Sequence, residues 1–213
     1  MTTLSDTRRE YDYTRLSKKQ LDSNPFVQIK KWLDQAQQAN LKDATVMTLA
    51  TTDNNGLADA RIVMLKQLDE KGLCWFTNYA SKKGQQLAHN PQACLLFYWR
   101  DFDRQVVIRG RVEKLSTQAA EDYFHSRPLN SQFSAAASAQ SQPIDSRKAL
   151  EAKLELLKKS DPETVEKPED WGGYRLIPST FEFWQGRENR LHDRFSYTQD
   201  NGSEQWTITR LQP

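Results

Sequence analysis

Long apolar runs are missing from this chain of 213 residues: CLLFYW, at residues 94–99, is the longest. A bilayer-spanning helix needs roughly 20 apolar residues, so none is expected. The N-terminus, MTTLSDTRREYDYTRLSKK, lacks the apolar core of a secretory signal, and the expectation is a cytoplasmic protein. Cysteine is scarce. Cys74 and Cys94 both sit inside apolar runs, which gives neither a disulfide framework nor metal-ligand spacing and points to a reducing compartment. An excess of either charge is also lacking: 30 Lys+Arg against 28 Asp+Glu leave a formal net charge of +2, with no basic stripe for nucleic acid. No Walker loop, GxGxxG fingerprint, HExxH, CxxC pair or nucleophile elbow occurs, so metal, thiol and serine-nucleophile chemistries have no support. Any anion site must be local.

What is present suffices for one folded domain, with 37% hydrophobic and 27% charged residues. Residues 1–23 are polar and basic and read as a mobile arm, leaving 24–213 as a single domain. Asn24-Pro25 is a helix start, followed by Phe26, Ile29, Leu33 and Ala36 at helical spacing. From 44 to 114 the period becomes that of strands separated by DNNG and DEKG turns, an antiparallel meander interrupted by a short helix capped by Ser81. Helical segments follow at about 116–126 and 145–159, the second with Leu150, Leu154 and Leu157 on one face. Strands at about 173–185, 192–199 and 205–210 close the chain, the last two joined by DNGS. An antiparallel β-barrel with peripheral α-helices, an α+β fold, accounts for this order.

Four stretches carry possible chemistry. In RIVMLK, alternation sends Arg61, Val63 and Leu65 to one face and Ile62, Met64 and Lys66 to the other, unless a bulge intervenes. TNYASKKGQQ puts Lys82 and Lys83 behind a capped helix N-terminus, where unpaired N–H groups and the dipole favour a phosphate; a surface lysine pair is the plain alternative. Tyr123 and Arg127 share a helical face, Pro128 ends that helix, and Ser131 follows, so a second phosphate could be held there. Read as a strand, RENRLHDRFSY at 187–197 alternates Arg190, His192 and Arg194 onto one face, each ~7 Å from the next, a row of cations that needs an anion opposite.

Taken in order, RREY (8–11), RIVMLK (61–66), FTN with SKK (76–83), RQV (104–106), YFHSRPLNSQ (123–132), AQS (139–141), FWQG (183–186) and RLHDRF (190–195) closely resemble pyridoxine/pyridoxamine 5'-phosphate oxidase. The likeness runs from residue 8 to the final RLQP. It implies a homodimeric FMN-binding split barrel with the flavin between subunits. The implied activity is oxidation of pyridoxine 5'-phosphate or pyridoxamine 5'-phosphate to pyridoxal 5'-phosphate, with O2 reduced to hydrogen peroxide. By the same resemblance, Arg61, Ile62, Val63, Met64, Leu65, Lys66, Phe76, Thr77, Lys82, Lys83 and Gln105 hold FMN from one subunit, and Gln140, Ser141, Trp184 and Arg194 from the other. Lys66, Tyr123, Arg127 and Ser131 would meet the substrate phosphate, and Arg190 and His192 would act at the pyridine ring and its reacting carbon. Arg8 and Tyr11 would fold over the occupied site as a lid. A split-barrel flavin reductase using a nicotinamide donor, or a non-catalytic pyridoxal phosphate carrier, are the alternatives.

Overall fold

The structure, a computed structural model, describes residues 9–161, 163–199 and 205–213. Arg8 and the DNGS turn therefore lie outside the described residues. Helix α1 (Pro25–Gln38) starts as its sequence dictates, with the Asn24 side chain accepting from the Phe26 amide and proline in the first turn. Its apolar stripe, Ile29, Trp32, Leu33 and Ala36, is buried against the sheet. Then come β1 (Val46–Thr52), β2 (Ala58–Met64), β3 (Gln67–Asp69), β4 (Gly72–Asn78), α2 (Lys82–His89), β5 (Gln92–Trp99) and β6 (Arg104–Lys114). Three helices follow, α3 (Thr117–Ser126), α4 (Leu129–Ala137) and α5 (Arg147–Ser160), and β7 (Trp171–Gln185), β8 (Asp193–Gln199) and β9 (Trp206–Leu211) end the chain.

Every strand pairing is antiparallel, in the order β2-β1-β5-β6-β7-β4-β3, with β8 added to β7 and β9 to β8. The 15-residue β7 is the hub. It pairs with β6 from Tyr174 to Gln185, its first part with β4 and its last part with β8. Chain 58–69 closes the sheet on itself: β2 runs along β1, and then the Leu65 amide donates to Thr45 O and the Lys66 amide to Cys74 O, each at 2.9 Å. Inside the closed sheet lie Leu49, Trp75, Leu95, Phe97, Ile108, Phe181 and Phe183. Burial of these side chains supplies most of the stabilisation, at about 25 cal/mol per Å² of apolar surface.

Three expectations need correcting. The meander breaks at β4, because α2 carries the chain across the barrel end and β4 pairs with β7 rather than β5. A helix not expected from the sequence, α4, begins at Pro128; its fixed φ ends α3 but equally starts the next helix. Residues 188–190 form a 3-10 turn in which Asn189 and Arg190 take φ of 54° and 62°, so the strand begins only at Asp193. Arg190 is thus off the strand, and the expected face of three alternating cations does not form.

Candidate active site

A cleft of about 650 Å³ opens between β2, the end of β4, the start of α2, the α3–α4 corner and the start of β7. Along β2 alternation is kept: Arg61 and Val63 are half-buried, whereas Ile62 and Met64 stand 65% and 47% exposed at the cleft. At the far end of β4, Ser81 caps α2 by accepting from the Gly84 amide. Gly84 is required there, since a Cβ would lie 2.1 Å from Tyr79 O. That close approach turns Lys83 inward, where it is only 8% exposed.

The Lys83 ammonium meets Thr77 Oγ1 at 3.1 Å, Gln140 Oε1 at 3.0 Å and Ser81 Oγ at 3.3 Å, and no carboxylate pairs with it among the described residues. Burial pushes it down to about 8, and nearby Arg61 adds to the effect while Asp59 opposes it. A buried ammonium facing neutral oxygens beside a helix N-terminus fits an anion, a phosphate above all. Beside it, Arg61 bonds Thr51 Oγ1 at 2.6 Å and pairs with Asp59 at 2.9 Å. Lys82 points outward, 69% exposed, and meets the same Asp59 at 3.0 Å. These contacts, the Lys82 bond first, hold the Asp59 carboxyl below the usual range.

The opposite wall is the α3–α4 corner. Tyr123 lies in the last turn of α3, and its ring stacks on Phe76 at 3.8 Å. Arg127 caps that helix and donates from Nη2 to Ser131 O at 2.9 Å. Its Nη1 is buried with no partner, and burial lowers its pKa. An orphaned guanidinium nitrogen at a cleft is a second place ready for an anion. Lys66 also lines the cleft, exposed, and its ammonium donates to Met64 Sδ at 3.9 Å.

Tyr11, Gln105, Trp184, Arg190, His192 and Arg194 gather elsewhere. None lines the cleft of its own chain. Gln105, Trp184 and Arg194 are directly opposed across β6, β7 and β8. The Trp184 ring lies 4.7 Å from His192, and Tyr11 stands edge-on to both at 5.5 and 5.3 Å. Around them Arg194 pairs with Glu182 at 2.8 Å, while Asp193 accepts from Arg187, Arg210 and the Leu16 amide. Arg9, next to the undescribed Arg8, pairs with Asp103. His192 Nδ1 accepts from the Arg187 amide at 3.1 Å, which assigns the ring proton to Nε2. Burial, with Arg190 and Arg194 adding, pulls His192 below its ordinary 6.5.

One chain therefore brings Ile62, Val63, Met64, Lys66, Phe76, Thr77, Lys83, Tyr123, Arg127, Ser131 and Gln140 to a single cleft. Gln140, expected from a partner subunit, reaches Lys83 of its own chain, and the neighbouring Ser141 is exposed with φ of 73°. Leu65 turns into the core at 7% exposure. Sequence reasoning missed Asn78, Ser134 and Trp171 in the lining and the acids Asp59, Glu182 and Asp193 that hold the arginines. The run WGG at 171–173 was the available signal for Trp171, a large ring followed by two residues that leave room beside it.

Comparison with known proteins agrees along the whole chain. Residues 33–160 match the sequence model of a family described as pyridoxamine 5'-phosphate oxidase. Residues 171–213 match one described as the pyridoxine 5'-phosphate oxidase C-terminal dimerisation region. The chain is 50% identical over 214 residues to a pyridoxine/pyridoxamine 5'-phosphate oxidase of Burkholderia mallei (strain SAVP1), covering 100% of both. A relative of the same name from Burkholderia thailandensis is 50% identical over the same span. Among solved structures, PhzG from Burkholderia lata 383, crystallised with tetrahydrophenazine-1-carboxylic acid, superposes with a TM-score of 0.88 at 29% identity, over 96% of this chain and 100% of that one. A pyridoxamine 5'-phosphate oxidase-related, FMN binding protein from Nostoc punctiforme gives 0.70 at 19% identity over 87% and 95%, a likeness of fold. Among the described residues no helix is long and apolar enough to cross a membrane, and no acid, His or Cys cluster suits a metal.

Proposed function

The chain belongs to the pyridoxamine 5'-phosphate oxidase family, and from that premise we propose that it is a homodimeric, FMN-dependent oxidase of pyridoxine 5'-phosphate and pyridoxamine 5'-phosphate. The observation that carries this reading is a pair of cations on different walls of one cleft, Lys83 buried and Arg127 half-buried with its Nη1 enclosed, neither with a carboxylate partner among the described residues. A flavin phosphate and a substrate phosphate together supply the two anions that these positions need.

Lys83, Thr77, Arg61, Lys82 and the N-terminus of α2 would hold the FMN phosphate, with Ile62, Val63, Met64 and Phe76 against the rest of the cofactor. Bound FMN would accept the hydride from the substrate's C4' and pass electrons to O2. Lys66, Tyr123, Arg127 and Ser131 clamp the substrate phosphate, so placement of the reacting carbon is set from the far end of the ligand. Gln105, Ser141, Trp184, Arg190, His192 and Arg194 complete the partner's cleft, with Gln140 serving its own chain. The matched dimerisation region covers the C-terminal members of that group. With Nδ1 already accepting, His192 offers an N–H from Nε2, so its part is to hold the C4' oxygen or amine as a donor. Arg190, exposed on a left-handed turn, adds a second donor and a positive field. Tyr11 would close over the occupied site, where it already lies on Trp184 and His192.

The likeness to PhzG favours a second reading, an oxidase of a reduced polycyclic carboxylic acid held at Arg127. Anaerobic mixing with pyridoxine 5'-phosphate, followed at the visible flavin band, separates the two. Bleaching that recovers on admitting air supports the first reading. A yellow protein that bleaches only with a tetrahydrophenazine carboxylate supports the second, and a protein that stays colourless with added FMN removes both.

A further inference from the structure

We infer that Trp171 is a positioning residue for the substrate phosphate: its indole fixes Arg127 and Tyr123, and so sets the preference for phosphorylated over unphosphorylated substrate. The inference rests on the phosphate clamp proposed above. Among the described residues Arg127 has no carboxylate to orient it. Its Nη2 is engaged by Ser131 O, its Nη1 is buried and unpartnered, and its remaining contacts are ring faces. The guanidinium carbon lies 4.9 Å from the Trp171 ring and 5.6 Å from that of Phe124, and Phe124 in turn stands edge-on to Trp171 at 5.0 Å. A guanidinium without an anion takes its direction from the plane it stacks on, because the ring quadrupole attracts it and blocks rotation out of plane.

The same indole carries the clamp's aromatic member. Trp171 and Tyr123 are parallel within 10° at 6.1 Å, Trp171 and Phe76 within 13° at 5.5 Å, and Phe76 and Tyr123 within 20° at 3.8 Å. The three rings form one stack. The backbone keeps Trp171 still: its amide donates to Pro168 O at 2.9 Å and its carbonyl accepts from Lys167 Nζ at 3.3 Å. Two residues on, Gly173 leaves space for the middle ring, since a Cβ there would lie 2.8 Å from Phe76 Cε1. Trp171 is 7% exposed and lines the cleft, so it is positioned to order the clamp from behind while other groups meet the phosphate.

The test is steady-state oxidation by the FMN-loaded enzyme, comparing pyridoxine 5'-phosphate with pyridoxine. Trp171→Leu is expected to raise KM for the phosphorylated substrate about tenfold, with a smaller change in kcat and unchanged FMN content. Trp171→Phe keeps a flat ring and is expected to raise it about threefold. The phosphorylated-to-unphosphorylated ratio of kcat/KM falls with the KM rise, a readout that loosened packing alone would not move. Losses equal for both substrates, or Trp171→Phe as damaging as Trp171→Leu, would overturn the inference. Should the wild-type protein fail to oxidise pyridoxine 5'-phosphate at all, the oxidase reading falls separately. Calorimetric titration with inorganic phosphate then decides: weaker binding to Trp171→Phe than to wild type supports the positioning role, and equal binding overturns it.

Discussion

In the cleft, Lys83 is buried and Arg127 half-buried among neutral oxygens and rings, whereas in β7, β8 and the turn between them each half-buried arginine closes on an acid: Arg175 on Asp69, Arg187 on Asp193, Arg194 on Glu182. A buried cation without a counter-ion is costly to fold, by several kcal/mol in the limit. Its persistence marks where a ligand's charge belongs. A paired arginine is already satisfied, so its first duty is to hold the backbone that presents its neighbours. The cleft is thus prepared for anions, and the β7–β8 side is prepared to present His192 and Trp184.

The sharpest way to break this contrast is Lys83→Met. If the Lys83 ammonium awaits the cofactor phosphate, FMN affinity should fall about 100-fold, as expected for a lost charge-assisted contact. Retention of flavin through gel filtration would remove that role. The flavin-free protein gives a second signature. Lys83 is pushed from 10.5 to about 8, so between those values the unfolded chain holds a proton that the folded chain has released. Stability should therefore rise with pH through that window, by up to about 3 kcal/mol, and Lys83→Met should flatten the rise in urea titrations.

On the other side the largest effect belongs to His192. As an Nε2 donor it should be replaced partly by Gln, whose amide reaches a similar point, and poorly by Ala. Expected losses in kcat are about 50-fold for His192→Ala and about fivefold for His192→Gln, from the worth of one hydrogen bond to a developing charge. Protonation would break the bond from the Arg187 amide, so the acid limb of kcat/KM should fall below the ordinary 6.5. An acid limb above that value, or Gln no better than Ala, would assign His192 a proton-abstracting role instead.

The split between the two regions also explains what the sequence could convey. Strand alternation and capping are local, so α1, α2 and the alternation of β2 were legible from Asn24-Pro25, Ser81 and RIVMLK. Helix α4 was hidden because LNSQFSAAA has no apolar stripe and Pro128 reads as an end, although it serves as both end and start. The left-handed turn at Asn189 and Arg190 has no glycine to announce it, and alternation read straight through it. The clamp residues were recognisable by their order along the chain. Their contacts were not: Asp59, Gln140 and Trp171 reach Arg61, Lys83 and Arg127 only through barrel closure and helix packing.

Arg194 tests the scaffolding side. Its partner Glu182 is 14% exposed at the side chain, so Arg194→Ala leaves a half-buried carboxylate unpaired and should cost about 1–2 kcal/mol of stability. Adding Glu182→Gln should return much of that, because the stranded charge goes with it. FMN loss in Arg194→Ala should be smaller than in Lys83→Met. The reverse order, with stability unchanged, would make Arg194 primarily a cofactor ligand and erase the contrast.

Lys82 sets the lower bound. It is adjacent to Lys83 in sequence and shares its helix N-terminus, yet it is 69% exposed and already meets Asp59. Solvent screens such a pair to a few tenths of a kcal/mol, and the flexible ammonium loses side-chain entropy when it is ordered. Lys82→Ala should therefore change stability by less than about 0.5 kcal/mol and FMN affinity by about twofold, the loss shrinking further as salt is raised. Measured together with Lys83→Met at two ionic strengths, it isolates what burial adds: two lysines with the same formal charge on one helix turn should differ in cofactor affinity by more than tenfold, with only the exposed one sensitive to salt. Equal effects would mean that the helix terminus, rather than the buried ammonium, provides the anion's place.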